Sequence, residues 1–230
     1  MQNTSIQISD IERFKQKLQD SLRKEASTYQ TIKIAKDNNI YVLGDKDNLV
    51  YFIEKGQVKL QALSPDGKEC ILTIHSLGDI FGELSISGSK ERMETAVAMT
   101  SVQLKSIPFS KFLQHLAKES LLEDFVKYLT VRVAEQQQVI ANLVTVDSEH
   151  RLGKTLLQLA RSIGKKYSYG TRIIELKISH EELSEMIGTT RPRISLFMQR
   201  FRNLGLLMTT KERYIIIEEQ KLAHYLESLD

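Results

Sequence analysis

The sequence predicts an α+β chain in three zones: an antiparallel β-domain, a long helix, and a C-terminal domain of helices with a hairpin. Three observations predict it. Six of the eleven glycines fall between Gly44 and Gly88, none falls between Pro108 and Gly153, and β-branched runs alternate with turn signals from about Thr31 to Ile107. Glycine marks tight turns, whereas a long stretch without Gly or Pro suits a continuous helix.

The composition is that of an ordinary globular chain: 230 residues, 41% hydrophobic and 27% charged. The opening residues MQNTSIQISDIERFK hold no basic start followed by an apolar run, so no secretory signal is expected. No apolar run reaches roughly 18 residues, so neither a spanning helix nor a membrane partner is expected. The single cysteine, Cys70, excludes an intrachain disulfide and leaves no thiolate set for zinc or an iron–sulfur cluster. A cytoplasmic location without a metal site follows as the expectation. The net charge of +3 is unevenly placed. Residues 148–230 hold 14 Lys+Arg against 10 Asp+Glu, and residues 1–147 hold 18 against 19. That asymmetry hints at a polyanionic partner for the last third.

Taken in order, Ser9 to Leu22 reads as a short helix, with Ser9 and Glu12 as a capping box and Ile11, Phe14, Leu18 and Leu22 on one face. Short strands follow in TIKIA, LVYFIEKG, QVKLQALS, ECILTIH, TAVAM and SVQLKSI, with a turn at Ser64-Pro65-Asp66-Gly67-Lys68. Strands at this spacing predict an antiparallel barrel or sandwich. Pro108 opens a helix through Phe112 and Leu116, and a longer helix runs from about Leu121 to Val146. Its apolar positions alternate by four and three (Leu122, Val126, Leu129, Val133, Gln136, Ile140, Leu143), a heptad seam with one polar member. No other segment is long enough to pair with it, so a homodimer is expected. The domains are then 1–120, 121–146 and 147–230. The last is expected to hold helices, one hairpin and a closing strand.

Within it, Ser179 caps ISHEELSEMIG with Glu182 as the second half of a capping box, and Gly188 ends that helix. Thr189 or Thr190 caps TTRPRISLFMQRFRNLG, where Pro192 falls in the first turn and Gly205 follows the end. Ile194, Phe197, Met198 and Phe201 form the buried face, leaving Arg191, Arg193, Ser195, Gln199, Arg200 and Arg202 outward. A short helix, a glycine turn and a second helix with a basic, hydroxyl-rich N-terminus form the helix-turn-helix pattern, which reads the major groove of double-stranded DNA. Leu206-Leu207-Met208 and Tyr214-Ile215-Ile216-Ile217 form a wing whose tip, Lys211-Glu212-Arg213, suits phosphate contact. Six basic residues and one acid lie between Thr189 and Arg213, unlike a merely solvating face, which mixes both signs.

The run GDIFGELS, then Arg92 in ERMETAVA, the long helix and RPRIS resemble, in order and spacing from about Thr31 to Glu218, the cyclic AMP receptor/FNR superfamily of bacterial transcription regulators. The resemblance implies a cyclic-nucleotide-binding-type β-roll, a dimerisation helix, a winged helix and RNA polymerase as a partner. It implies an effector site at Gly82, Glu83, Leu84 and Arg92, with Arg132, Gln136 and Gln137 from the long helix. The residues after the arginine, Met93 and Glu94, depart from the Ser/Thr-Ala of cyclic AMP binders, and Gln136-Gln137 stand where an adenine-contacting Thr-Ser would be. ERMETAVAMTSVQL is similar to the nitrogen-control branch, in which arginines matching Arg92 and Arg132 hold the carboxylates of 2-oxoglutarate, although Gln137 replaces that branch's glutamate. A small anionic effector, cyclic nucleotide or 2-oxoglutarate-like, is therefore the expectation. His75 and His115 lack a haem-binding motif, and Pro192 replaces a common recognition-helix glutamate.

No GxSxG, phosphate-binding loop, HExxH or GxGxxG occurs, and an enzyme is not expected. The alternative reading is a cyclic-nucleotide-binding-type regulatory protein that controls a partner protein rather than DNA. Loss of Arg191 and Arg193 would separate the two.

Overall fold

The computed structural model describes residues 2–25, 28–88 and 91–229, with only the backbone of residues 2–9. The fold divides into two compact units, 1–137 and 138–230.

The first unit opens with helix α1 (Gln2–Lys24), longer than the expected Ser9–Leu22 helix. Ser9 therefore falls inside the helix rather than capping it, and its side chain lies outside the described residues. Two four-stranded antiparallel sheets follow, in the orders β1-β8-β3-β6 and β2-β7-β4-β5. The strands are β1 (Gln30–Ile34), β2 (Asn39–Tyr41), β3 (Leu49–Lys55), β4 (Val58–Leu63), β5 (Glu69–His75), β6 (Ile80–Phe81), β7 (Thr95–Ala98) and β8 (Val102–Pro108). A 3-10 turn, Glu83–Ser87, follows β6. Then come α2 (Phe109–Lys118) and α3 (Leu122–Thr145).

Strand β3 shows why the unit has two core layers. Successive side chains of a strand point to opposite faces. Val50 and Phe52 thus join Phe14, Leu18 and Leu22 of α1 with Phe112, Leu116 and Phe125 of the later helices. Tyr51 and Ile53 turn the other way, against Tyr41, Val58, Phe81, Ala96 and Leu104 between the sheets. Each large apolar side chain sealed in this way contributes roughly 1.5–3 kcal/mol. On α3, Phe125 and Tyr128 are buried, whereas Leu122, Val126, Val133, Ile140 and Leu143 are exposed and Leu129 is half-buried.

The second unit contains the end of α3, α4 (Ser148–Ser162), β9 (Lys165–Ser168), β10 (Thr171–Ile174), α5 (His180–Ile187), α6 (Arg191–Asn203), β11 (Leu207–Thr209), β12 (Ile215–Glu218) and α7 (Glu219–Glu227). Its four strands form one antiparallel sheet in the order β11-β12-β10-β9. The expected single hairpin and closing strand are corrected here. A second hairpin, β9–β10, widens the wing sheet, and β12 is followed by helix α7, whose Leu222 and Leu226 are buried.

Candidate functional site

Two groups of residues carry chemistry, one in each unit. The first surrounds Gly82, which lies between β6 and the 3-10 turn. Its φ of 82° suits glycine, and a Cβ there would meet Arg92 Nη1 at 2.7 Å and the Leu49 carbonyl at 2.9 Å. The backbone can thus approach a guanidinium that is itself buried, with 3% of the Arg92 side chain exposed. Arg92 Nη1 donates to the Gly82 carbonyl at 2.9 Å and Nη2 to the Leu49 carbonyl at 2.7 Å. Asp47, in the β2–β3 loop, takes Nε at 3.2 Å and also accepts from Nη2. The guanidinium carbon lies 4.1 Å from the centre of the Tyr41 ring, a cation–π contact.

Around this arginine stand two further carboxylates. Glu94 is buried; its Oε1 accepts the Tyr41 hydroxyl at 2.7 Å and its Oε2 has no hydrogen-bond partner. Glu83 likewise has a buried, unpartnered Oε2. Burial pushes the Glu83 carboxyl above its ordinary range, with the Glu94 charge adding to the effect and Arg132 and Arg92 opposing it. Burial, reinforced by Glu94, also raises the Tyr41 phenol, so that hydroxyl stays a donor.

From α3, Arg132 Nη2 donates to Thr73 Oγ1 at 3.0 Å and to His75 Nε2 at 3.4 Å, while Nη1 donates to Glu135 at 3.2 Å. Burial beside Arg132 depresses His75 from 6.5 to about 3, so the ring is neutral at pH 7. Asp79 lies next to it and is paired with Lys15 of α1 at 2.9 Å. Burial favours the neutral carboxyl of Asp79, but the Lys15 charge, helped by the Ser76 N–H that Oδ2 accepts at 2.8 Å, holds the group below its ordinary range. Of the residues expected here, the fold groups Gly82, Glu83, Arg92 and Arg132. Leu84, Gln136 and Gln137 are exposed. Asp47, Tyr41 and Glu94 as an inward acceptor were not read as site residues from the sequence.

The second group lies on α5, α6 and the wing. Both halves of the Ser179–Glu182 capping box form, and Gly188 closes α5 at φ 67°. Thr190 occupies the N-cap of α6 with no side-chain capping bond, so the expected threonine cap is made by backbone alone. Ile194, Phe197, Met198 and Phe201 are buried, and Arg191, Arg193, Gln199, Arg200 and Arg202 are exposed. A cleft of about 610 Å³ lies between α5, α6 and the wing, lined by His180, Arg191, Arg202 and Arg213 among others. His180 is held below its ordinary value by burial and then by Arg202 and Arg191. Three arginines and one carboxylate, Glu181, thus line the cleft.

Among the described residues of the face, Arg193, Ser195 and Arg200 have partners inside the unit, the Arg193 guanidinium carbon lying 5.9 Å from the centre of the Phe197 ring. Ser195 Oγ lies 2.8 Å from His180 Nδ1 and donates to the Arg191 carbonyl at 3.2 Å. Arg200 pairs with Glu149 of α4 at 3.0 Å. Lys211 and Arg213 sit at the exposed wing tip, while Thr189 is half-buried.

A β-roll sensor-type unit and a winged helix with a basic second helix define a DNA-binding transcription regulator. Comparison with known proteins gives the same class. Residues 31–119 match the cyclic nucleotide-binding domain and residues 150–225 the Crp-like helix-turn-helix domain. The chain is 32% identical over 186 residues to the global nitrogen regulator of Synechocystis sp., spanning 79% of this chain and 81% of that one. It is 26% identical over 195 residues to the CRP-like cAMP-activated global transcriptional regulator of Mycobacterium tuberculosis, covering 84% and 87% of the two chains. Among solved structures, a mutant of CooA from Carboxydothermus hydrogenoformans superposes with a TM-score of 0.71 at 26% identity, over 86% of this chain and 88% of that one. The chain belongs to the CRP/FNR superfamily of transcription regulators. No helix of the described residues is long and apolar enough to cross a membrane.

Proposed function

We propose that the chain works in the cytoplasm as a homodimer that binds a near-palindromic DNA site, responds to a small-molecule effector and acts on RNA polymerase. Residues 1–120 sense the effector, 121–146 dimerise and 147–230 bind DNA. On this reading the chain acts by binding and not by catalysis.

The observation that carries the DNA reading is the arginine-lined cleft between α6 and the wing, with Arg191 and Arg193 in the first turn of α6. A guanidinium at that end of a recognition helix can donate bidentately to guanine O6 and N7. Thr189, Thr190, Arg191, Arg193 and Gln199 are assigned to the groove, and Lys211 and Arg213 to phosphates. Exposed Val126, Val133, Ile140 and Leu143 on α3 support the dimer, since an apolar seam in water favours a second copy. Two paired copies would set their recognition helices about one DNA turn apart. Effector binding beside Arg92 and Arg132 would then bias the segment near Val144–Ser148, a coupling typically worth ~1–3 kcal/mol.

The test is a binding isotherm of the purified chain on its own upstream region against random duplex at moderate salt, for wild type and the Arg191→Ala/Arg193→Ala double variant. Preference for the upstream duplex in wild type and its loss in the variant is the expected result.

A further inference from the structure

The resemblance to anion-sensing regulators leads one to expect a phosphate or carboxylate beside Arg92. The side chains around it describe a different ligand. A guanidinium has five N–H donors. Four of the hydrogen bonds Arg92 can make already go to the chain's own acceptors: two to Asp47, one to the Gly82 carbonyl and one to the Leu49 carbonyl. Tyr41 covers one face of its plane at 4.1 Å. Asp47 itself is anchored, since its Oδ1 also accepts the Leu49 N–H at 3.0 Å. An incoming anion would find neither a free bidentate edge nor an uncompensated positive charge.

What the site does offer is acceptors. Glu94 is 97% buried on the count of its 3% exposure, and its Oε2 has no donor. Glu83 Oε2 is likewise sealed from solvent and without a donor. The Glu94 charge opposes ionisation of the Glu83 carboxyl. Of the charged groups around them, Arg132 and Arg92 favour the ionised Glu83, but Arg92 is already paired with Asp47 and Arg132 is shared with Glu135, Thr73 and His75. Buried carboxylate oxygens are costly unless a donor or a positive charge reaches them. A ligand that brings both would offset the Glu94 charge felt by Glu83 and supply a donor to an orphaned carboxylate oxygen. We propose that the β-roll site takes a small cationic hydrogen-bond donor, an amine or guanidine, with Glu94 and Glu83 as its acceptors and Asp47 holding Arg92 out of the reaction with anions.

This deepens the reading of residues 1–120 as the effector domain and rests on it. Three side chains then have separable duties. Glu94 is the ligand's charge partner, Glu83 its second acceptor, and Asp47 the residue that sets ligand sign.

The test uses the full chain and thermal unfolding with agmatine and putrescine as cationic probes, and with cyclic AMP and 2-oxoglutarate as anionic ones. A ligand that binds the folded state raises the melting temperature by mass action. The expected result is a saturable rise with agmatine or putrescine, with affinity weakened about tenfold or more in Glu94→Gln. Asp47→Asn is the second variant: freeing Arg92, it is expected to gain stabilisation by 2-oxoglutarate that wild type lacks, which keeps the proposal testable should Glu94→Gln not fold. Wild type that is stabilised by either anion and by neither cation overturns the proposal, as does silence toward both cations at millimolar concentration, or cation stabilisation undiminished in Glu94→Gln. Upstream-duplex binding measured on the same preparations separates the failures. Sequence-selective binding with no cation response sinks only the ligand assignment, whereas no selective binding under any probe sinks the regulator reading itself.

Discussion

Arg200 Nη1 lies 3.0 Å from Glu149 Oε2, and the other oxygen of that carboxylate accepts the Tyr225 hydroxyl at 2.7 Å. One basic residue of the recognition helix is therefore tied to α4 and α7, while Arg191 and Arg193 in the first turn are exposed. Arginines that look alike in the sequence have different surroundings.

Their variants should separate accordingly. Arg191→Ala or Arg193→Ala is expected to cost about 1–3 kcal/mol of discrimination, roughly 5- to 150-fold, at the base pair each reads. Arg200→Ala is expected to change sequence discrimination little and to lower stability by about 1 kcal/mol or less, because the pair is half-exposed. Competition isotherms on single-base operator variants, with melting temperatures alongside, measure both. Equal loss of discrimination in Arg200→Ala would contradict the assignment.

Charging the exposed seam of α3 is expected to abolish self-association. Val133 and Ile140 are 52% and 62% exposed, and carboxylates there would meet their own counterparts across a two-fold axis. Sedimentation velocity of Val133→Glu/Ile140→Glu should give a monomer at micromolar concentration where wild type gives a dimer. A monomeric wild type would end the dimer proposal.

Lys15 and Asp79 join α1 to the β-roll through a pair in which both side chains are largely buried, 14% and 9% exposed. Removing one partner leaves an uncompensated buried charge, so Lys15→Met is expected to destabilise by about 3–5 kcal/mol. Lys15→Met/Asp79→Leu is expected to recover a large part of that loss. Urea unfolding of the wild type and the variants tests the pair, and strict additivity of the two single losses would refute the coupling.

His75 should make the β-roll acid-sensitive. Its folded-state value is about 3 against an ordinary 6.5, so between these limits the unfolded chain binds a proton that the folded chain does not. Stability is then highest above pH 6.5 and falls as pH drops toward 3, by up to about 1.4 kcal/mol per pH unit. His180, also depressed, contributes in the same sense. The difference in slope between wild type and His75→Gln isolates the buried ring, and identical slopes from pH 6.5 to 4.5 would contradict its neutral state.

How much of this was legible in sequence followed the separation of the partners. The Ser179–Glu182 box, the turn at Gly188 and the buried face Ile194, Phe197, Met198 and Phe201 depend on residues a few positions apart, and their pattern survives in the string of letters. Arg92 was found through its motif, but Asp47, 45 residues earlier, was not, because nothing local marks which carboxylate a folded sheet will bring to an arginine. The same holds for Glu149 with Arg200, 51 positions apart, and for His180 with Ser195. The seam of α3 was visible as periodicity, and its exposure is a property of the folded chain alone. Helix α7 was missed because the β-branched run Ile215–Ile217 immediately precedes it and masks the switch of period.

At the wing tip, Arg213 holds φ at 69°, a left-handed backbone that side-chain-bearing residues seldom adopt. Glycine would relax the bend, so Arg213→Gly is expected to raise the melting temperature slightly while lowering affinity for duplex DNA at low salt. Here conformational ease and charge placement pull in opposite directions at one residue, and the loop tolerates a bent arginine that lines the cleft beside α6.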